Sequence, residues 1–167
     1  MRVTDKHVFF WGEWPSNWYP SEFTVNYDGK PYTFYNSEHY FMFVKAKVFG
    51  DEDTALEILL GGKDPKLAKT LGRKVKNYDD KVWDEKRYDV MLEACYHKFS
   101  QNEDLMEKLL DEELRGKGFV EGSPIDKVWG IGIHWEEASD DESTWKGQNL
   151  LGKVLNEVRD RLTQERS

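Results

Sequence analysis

The chain has 167 residues, enough for one domain with its own core and no need of staples. Its 24 Lys and Arg stand against 32 Asp and Glu, a net charge of −8, which argues against bulk electrostatic binding to nucleic acid. Cys95 is the only cysteine, which excludes an internal disulfide, and no apolar run reaches the length of a membrane span.

The first expected element is a strand at His7-Val8-Phe9-Phe10-Trp11, followed by a loop from Trp14 to Pro20 that Pro15, Asn17 and Pro20 punctuate. Phe23 to Tyr27 and Lys30 to Phe34 flank Asp28-Gly29, a hairpin signal because both turn residues tolerate positive φ. Ser37 is expected to cap a helix over roughly Glu38 to Val48. Residues 53–60 read as helical and stop at Gly61-Gly62; Asp64-Pro65 then opens a helix ending near Gly72. From Asp80 to Phe99, Trp83, Val90, Met91, Ala94, Cys95 and Phe99 keep helical spacing, which makes this the longest helix and Cys95 a buried small hydrophobe. Asn102 is expected to cap a shorter helix through Leu110. Lys117 to Glu121 and Val128 to Ile133 read as extended, and Glu136 to Ser143 as an acidic loop. Leu150, Leu151, Val154, Leu155, Val158 and Leu162 mark a closing amphipathic helix. The expected fold class is α+β, a helix-rich single domain over residues 1–167, with strands early and again before the last helix. The start of the chain lacks the apolar run of a signal peptide, and a soluble, cytoplasmic protein is expected.

Two distant stretches mix ionisable side chains with aromatics and glycines, as a ligand pocket needs. In the first, Glu38 and Lys45 are seven residues apart, about 20° around a helix and about 10 Å along it. A solvated stripe and a pair bordering a pocket both satisfy that spacing, although Tyr40, Phe41, Phe43 and Val44 leave the helix no obviously wet face. Partial burial would lower the lysine's pKa and raise the carboxyl's, giving a nucleophilic amine beside a proton donor. In the second stretch, Asp126 precedes Trp129-Gly130-Ile131-Gly132, where glycines either admit a flat ligand under the indole or relieve crowding. Asn149, after Gly147, is placed to cap the last helix, whose free N–H groups would suit a phosphate. His39, His97 and His134 lack metal-ligand spacing, and no metal or cofactor is expected. Walker, nucleophile-elbow and dinucleotide motifs are missing too, which removes most NTPase, serine-hydrolase and dehydrogenase readings.

In order, Ser16-Asn17-Trp18-Tyr19-Pro20, Ser37-Glu38-His39-Tyr40-Phe41 with Lys45-Ala46, and Trp83 with Arg87 and Val90-Met91 resemble motifs of the NADAR, or YbiA-like, family. Ser123-Pro124, Asp126, Trp129-Gly130 and Gly132 continue the pattern, then Gly147, Asn149, Leu151-Gly152-Lys153, Leu155 and Val158-Arg159. Trp18 replaces the usual phenylalanine, Met42 stands where glutamine is common, and an acidic insert of about residues 134–144 is either a lid or decoration.

The resemblance implies hydrolysis of an N-glycosidic bond at ribose C1. Its substrates would be ribosylaminouracil phosphates of riboflavin synthesis or, alternatively, ADP-ribose carried on guanine bases of nucleic acid. In either case the partner is a small nucleotide-like molecule or an ADP-ribosylated base, not a membrane. It implies that Lys45 traps C1 as a Schiff base, Glu38 handles the protons, and Asp126 steadies the sugar cation. Trp83 and Trp129 would stack on the base or wall the pocket, and Gly130 and Asn149 would sit near ribose or phosphate. Arg73 and Arg87 would meet phosphate, and Asn17, Tyr19 and His39 complete the expected substrate-binding set. A module that binds ADP-ribose or NAD-type ligands without cleaving them is the reading from another class. The basic run Lys63, Lys66, Lys69, Arg73, Lys74 and Lys76 is either a solvated face or a rim for nucleic acid.

Overall fold

The structure is a computed structural model and describes all of residues 1–167. In chain order its elements are β1 (Arg2–Val3), β2 (His7–Phe10), β3 (Phe23–Tyr27), β4 (Lys30–Phe34), α1 (Ser37–Val48), α2 (Glu52–Leu60), α3 (Pro65–Gly72), α4 (Asp80–Ser100), α5 (Glu103–Leu109), β5 (Gly118–Glu121) and α6 (Leu150–Arg166). They form two compact units. One is built from both ends of the chain, Met1–Ser16 and Glu103–Ser167; the other is the middle, Asn17–Asn102.

In the middle unit, β3 and β4 pair antiparallel with Tyr27 opposite Lys30, leaving a two-residue turn. Asp28 and Gly29 take φ of 51° and 81°, the mirror-image turn that follows the twist of the strands. Helix α1 is buried along Ser37 to Val44 and again at Ala46, with α2, α3, α4 and β4 packed around it. Its cap is Asn36 rather than Ser37: Asn36 is extended and its Oδ1 accepts the His39 N–H at 2.8 Å. Ser37 becomes the first helical residue. Asp64 caps α3 ahead of Pro65, and Asp79 caps α4 through two backbone N–H groups. Cys95 is buried on α4, and burial pushes its thiol up to about 11, so it is inert packing. The amide of Asn102 donates to the Lys98 and Glu22 carbonyls, closing α4 and tying down the approach to β3.

In the unit built from both ends, β2 lies between β1, antiparallel, and β5, parallel. Val8, Phe9, Phe10, Phe119 and Val120 are shut away from water, as a strand pair covered on both faces requires. Helix α6 lays Leu151, Val154, Leu155 and Val158 against β5, and Gly152 permits the approach. A Cβ there would stand 2.0 Å from the Phe119 carbonyl. Val128 to Ile133 is a chain of bends rather than the expected strand. The carbonyls of Lys127, Val128, Trp129 and Gly130 accept N–H bonds from Gln148, Leu150, Leu151 and Asn149 respectively. The start of α6 therefore has no free N–H groups at these positions to offer an anion, contrary to the expectation. Asn149 occupies the cap position in a left-handed conformation, but its side chain does not cap.

The acidic insert is packed against this unit. Arg2 donates to the Trp135 and Ala138 carbonyls, Asp140 accepts from Thr4 and meets the His7 ring at 2.7 Å, and Ala138 joins Phe9, Val120 and Ile131 in a buried cluster. No helix is long and apolar enough to cross a membrane.

Candidate active site

Glu38 and Lys45 sit on α1 in the middle unit, two turns apart, as their spacing requires. Lys45 is half-buried; its Nζ donates to the Gly72 carbonyl at 2.9 Å and lies 4.6 Å from the centre of the Tyr78 ring. Burial lowers the amine's pKa, the Glu38 carboxylate pulls it back up, the Arg73 guanidinium lowers it further, and Asp80 opposes. The carbonyl that holds Lys45 ends α3, where backbone oxygens lack helical partners and welcome a cation. Glu38 is buried, and its N–H donates to the Asn17 carbonyl at 3.1 Å. Asn17 is buried too, and its Oδ1 has no hydrogen-bond partner. An amine whose pKa is lowered by burial, a buried carboxyl in electrostatic reach and an orphaned amide oxygen form the chemically loaded part of this unit.

The other expected residues of the middle unit divide by use. Arg73 is exposed just past the end of α3 and acts on Lys45 through its charge. Tyr19 is half-buried, its ring 5.9 Å from the Lys98 ammonium. Trp83 is buried against Phe41 and Phe49, with ring centres 5.0 and 6.4 Å away, so it builds the wall between α1 and α4. Arg87 pairs with Asp84 on its own helix at 3.0 Å. Both ring nitrogens of His39 are engaged inside the fold: Nδ1 accepts the Tyr35 N–H and Nε2 donates to the Ile58 carbonyl at 2.8 Å. Burial lowers its pKa and keeps it neutral, so His39 packs and pins α1 to α2 rather than reaching for substrate.

Lys98 lies outside the set of residues the sequence singles out. It is fully buried in α4, and burial pushes its pKa down to about 8. Seven residues beyond Met91 and three beyond Cys95, it falls on the apolar stripe of α4, a spacing that could have singled it out.

Asp126, Trp129, Gly130 and Asn149 belong to the unit built from both ends. Oδ1 of Asp126 accepts the Val128 and Trp129 N–H groups, both at 2.9 Å, while Ser123 Oγ accepts from Ile125 and Asp126. The carboxylate thereby sets the turn that presents Trp129, which is half-buried. Gly130 answers a close crossing: a Cβ would meet the Glu121 carbonyl at 2.8 Å and that of Asp126 at 3.0 Å. Asn149 bridges strand and helix, Oδ1 accepting from Glu121 and Nδ2 donating to the Phe119 carbonyl, both at 3.0 Å. That amide, expected near ribose or phosphate, is spent on the fold. A cavity of about 320 Å³ opens beside it, lined by His7, Phe119, Trp145, Gln148 and Lys153 among others. No group of three or more His, Cys, Asp or Glu side chains gathers as metal ligands would.

The model of the NADAR domain matches residues 9–163. The chain is 41% identical over 167 residues to N-glycosidase R617 of Acanthamoeba polyphaga mimivirus, covering 94% of this chain and 96% of that one. It is 41% identical over 160 residues to Protein irg-1 of Caenorhabditis elegans, covering 88% and 74%. N-glycosidase YbiA of Escherichia coli is 33% identical over 142 residues, covering 85% and 78%. The NMR structure of E. coli YbiA superposes with a TM-score of 0.75 at 29% identity, over 99% of this chain and 89% of that one. Fold and relatives together define a hydrolase acting on N-glycosyl compounds. The chain belongs to the NADAR family.

Proposed function

We propose that the enzyme hydrolyses the bond between a base, or amine, and ribose C1 of a nucleotide-like substrate such as a ribosylaminouracil phosphate. The observation that carries this is the state of Lys45. A half-buried amine with a lowered pKa, two turns from a buried carboxyl on the same helix, is a readier nucleophile than an ordinary lysine. In this reading Lys45 Nζ bonds to C1 as the C1–N bond to the base breaks, and Glu38 gives the departing base its proton. The ring oxygen then leaves C1 and takes a proton, so that C1 and Nζ form a Schiff base. Water adds to C1, the C–N bond breaks, and the free amine and the sugar aldehyde are restored. The sum is base–ribose plus water giving base and ribose. Tyr19 and Arg73, in the same unit as Lys45 and Glu38, are the binding residues in this proposal.

A second reading, removal of ADP-ribose from guanine bases of nucleic acid, draws support from Lys63, Lys66, Lys74 and Lys76. These are exposed on and around α3, the helix whose last carbonyl holds Lys45. A module that only binds such ligands has no use for an amine held below its ordinary pKa.

Incubating the protein separately with ribosylaminouracil phosphate and with DNA carrying ADP-ribosylated guanosine, then measuring free base, separates the two substrates. Borohydride added during turnover should leave a sugar adduct on Lys45. An adduct on another residue, or turnover with no trapping, would overturn the Schiff-base route; binding without release of base would favour the module.

A further inference from the structure

The amide oxygen of Asn17 is an acceptor sealed inside the protein with nothing to accept from. Leaving such a group unmet costs stability, and in native proteins it calls for an explanation. Its neighbour supplies one. The Asn17 main-chain carbonyl takes the Glu38 N–H at 3.1 Å, so the two residues are joined at the backbone. An ionised carboxylate only accepts hydrogen bonds, whereas a protonated carboxyl donates one. We propose that Asn17 Oδ1 is the acceptor for the proton of Glu38, unmet when Glu38 is ionised and satisfied when Glu38 carries its proton.

Asn17 is then a positioning residue for the acid step, and this role rests on Glu38 being the proton donor of the reaction proposed above. It holds the carboxyl in the protonated form in one orientation and raises its affinity for the proton. Burial of the acceptor suits an internal partner, because the exchange needs no access from solvent. The charge coupled to Glu38 is Lys45 on the same helix, which Arg73 after α3 and Asp80 at the start of α4 bias in turn. His39, bonded through both nitrogens, does not share the proton.

A stability cycle tests the assignment without any substrate. Asn17→Leu keeps the approximate shape and deletes the amide. At an alkaline pH, where the proposal leaves the amide oxygen unmet, it should raise Tm by roughly 2–8 °C, because an unmet acceptor is removed. In Glu38→Gln, whose amide donates at every pH, the same change should lower Tm, because a made bond is lost. Asn17→Ala repeats the cycle should leucine fit poorly, and its sign should differ between the two backgrounds in the same way. During turnover, Asn17→Leu should move the limb of the kcat/KM profile that reports Glu38 down by about one pH unit. Added apolar surroundings alone would move that limb up. Equal Tm changes in both backgrounds, or an upward shift of the limb, would overturn the proposal. A wild-type protein that releases no base would sink the proposed reaction instead, and the Tm cycle would still decide the Asn17–Glu38 pair.

Discussion

Replacing Lys98 by methionine should flatten part of the protein's response to alkali. Lys98 is fully buried, and its pKa falls from 10.5 to about 8 chiefly because burial penalises the charged form, with the neighbouring Cys95 pulling it back slightly. About 2.5 pK units correspond to about 3 kcal/mol of native-state penalty on the charged amine. The folded pKa lies below the unfolded one, so the unfolded chain binds the extra proton between about pH 8 and 10.5, and stability should rise with pH across that window. Below pH 8 both states are protonated and the penalty is constant. The ammonium recovers part of it from the faces of Phe99 and Tyr19, at 5.0 and 5.9 Å. A methionine of similar length removes the titrating group, so the variant should lack the rise in stability that the lysine gives between about pH 8 and 10.5. Urea denaturation of both proteins between about pH 7 and 10.5 reads the difference. The difference between the two should move in the wild type's favour as pH rises, because the wild-type lysine loses its charge. A pH-independent difference would refute the account of Lys98 as a cation held at a cost.

Lys45→Ala should keep its thermal transition and lose turnover, and Glu38→Gln should slow release of base by about 10²–10⁴-fold while binding substrate, both read by product assay. The basic limb of kcat/KM that reports Lys45 should lie below 10.5; Arg73→Gln should move it up and Glu38→Gln down, as the charges acting on the amine require. At the start of α1, Asn36→Ala should cost about 1 kcal/mol or more, a loss attributable to the missing cap and measurable by denaturant unfolding. Gly152→Ala should destabilise by more than about 2 kcal/mol, since its Cβ must push away the Phe119 carbonyl; an unchanged Tm would contradict the packing of α6 on β5.

Much of this arrangement was legible wherever a local signal stands alone. Asp28-Gly29 gave the hairpin, Asp64-Pro65 the start of α3, and the apolar stripe from Trp83 to Phe99 the course of α4. The seven-residue spacing placed Glu38 and Lys45 on one helix, though only the structure shows the Gly72 carbonyl that holds the amine. Local rules broke where partners are remote. Asn36 and Ser37 are both good caps, and the backbone angle at residue 36 decides between them. Residues 128–133 look extended, yet their neighbours at 148–151 turn them into a bent ladder. Asn149 carries the composition of a cap and the work of a strand bridge, bonded to residues about thirty positions away. Lys98 reads as an exposed charge unless it is counted into the stripe of α4.

The parallel pairing of β2 with β5 sets His7 opposite Gly118, so the first long strand has its partner more than a hundred residues later. On a ribosome adding about 5–20 residues per second, that partner emerges on the order of 5–20 s after the strand itself. Until then Val8, Phe9 and Phe10 form a sticky, half-made ribbon on the nascent chain. The intervening helices complete their local contacts during the wait. Synthesis thus imposes an order of assembly on this enzyme, in which the β2–β5 pairing waits for β5.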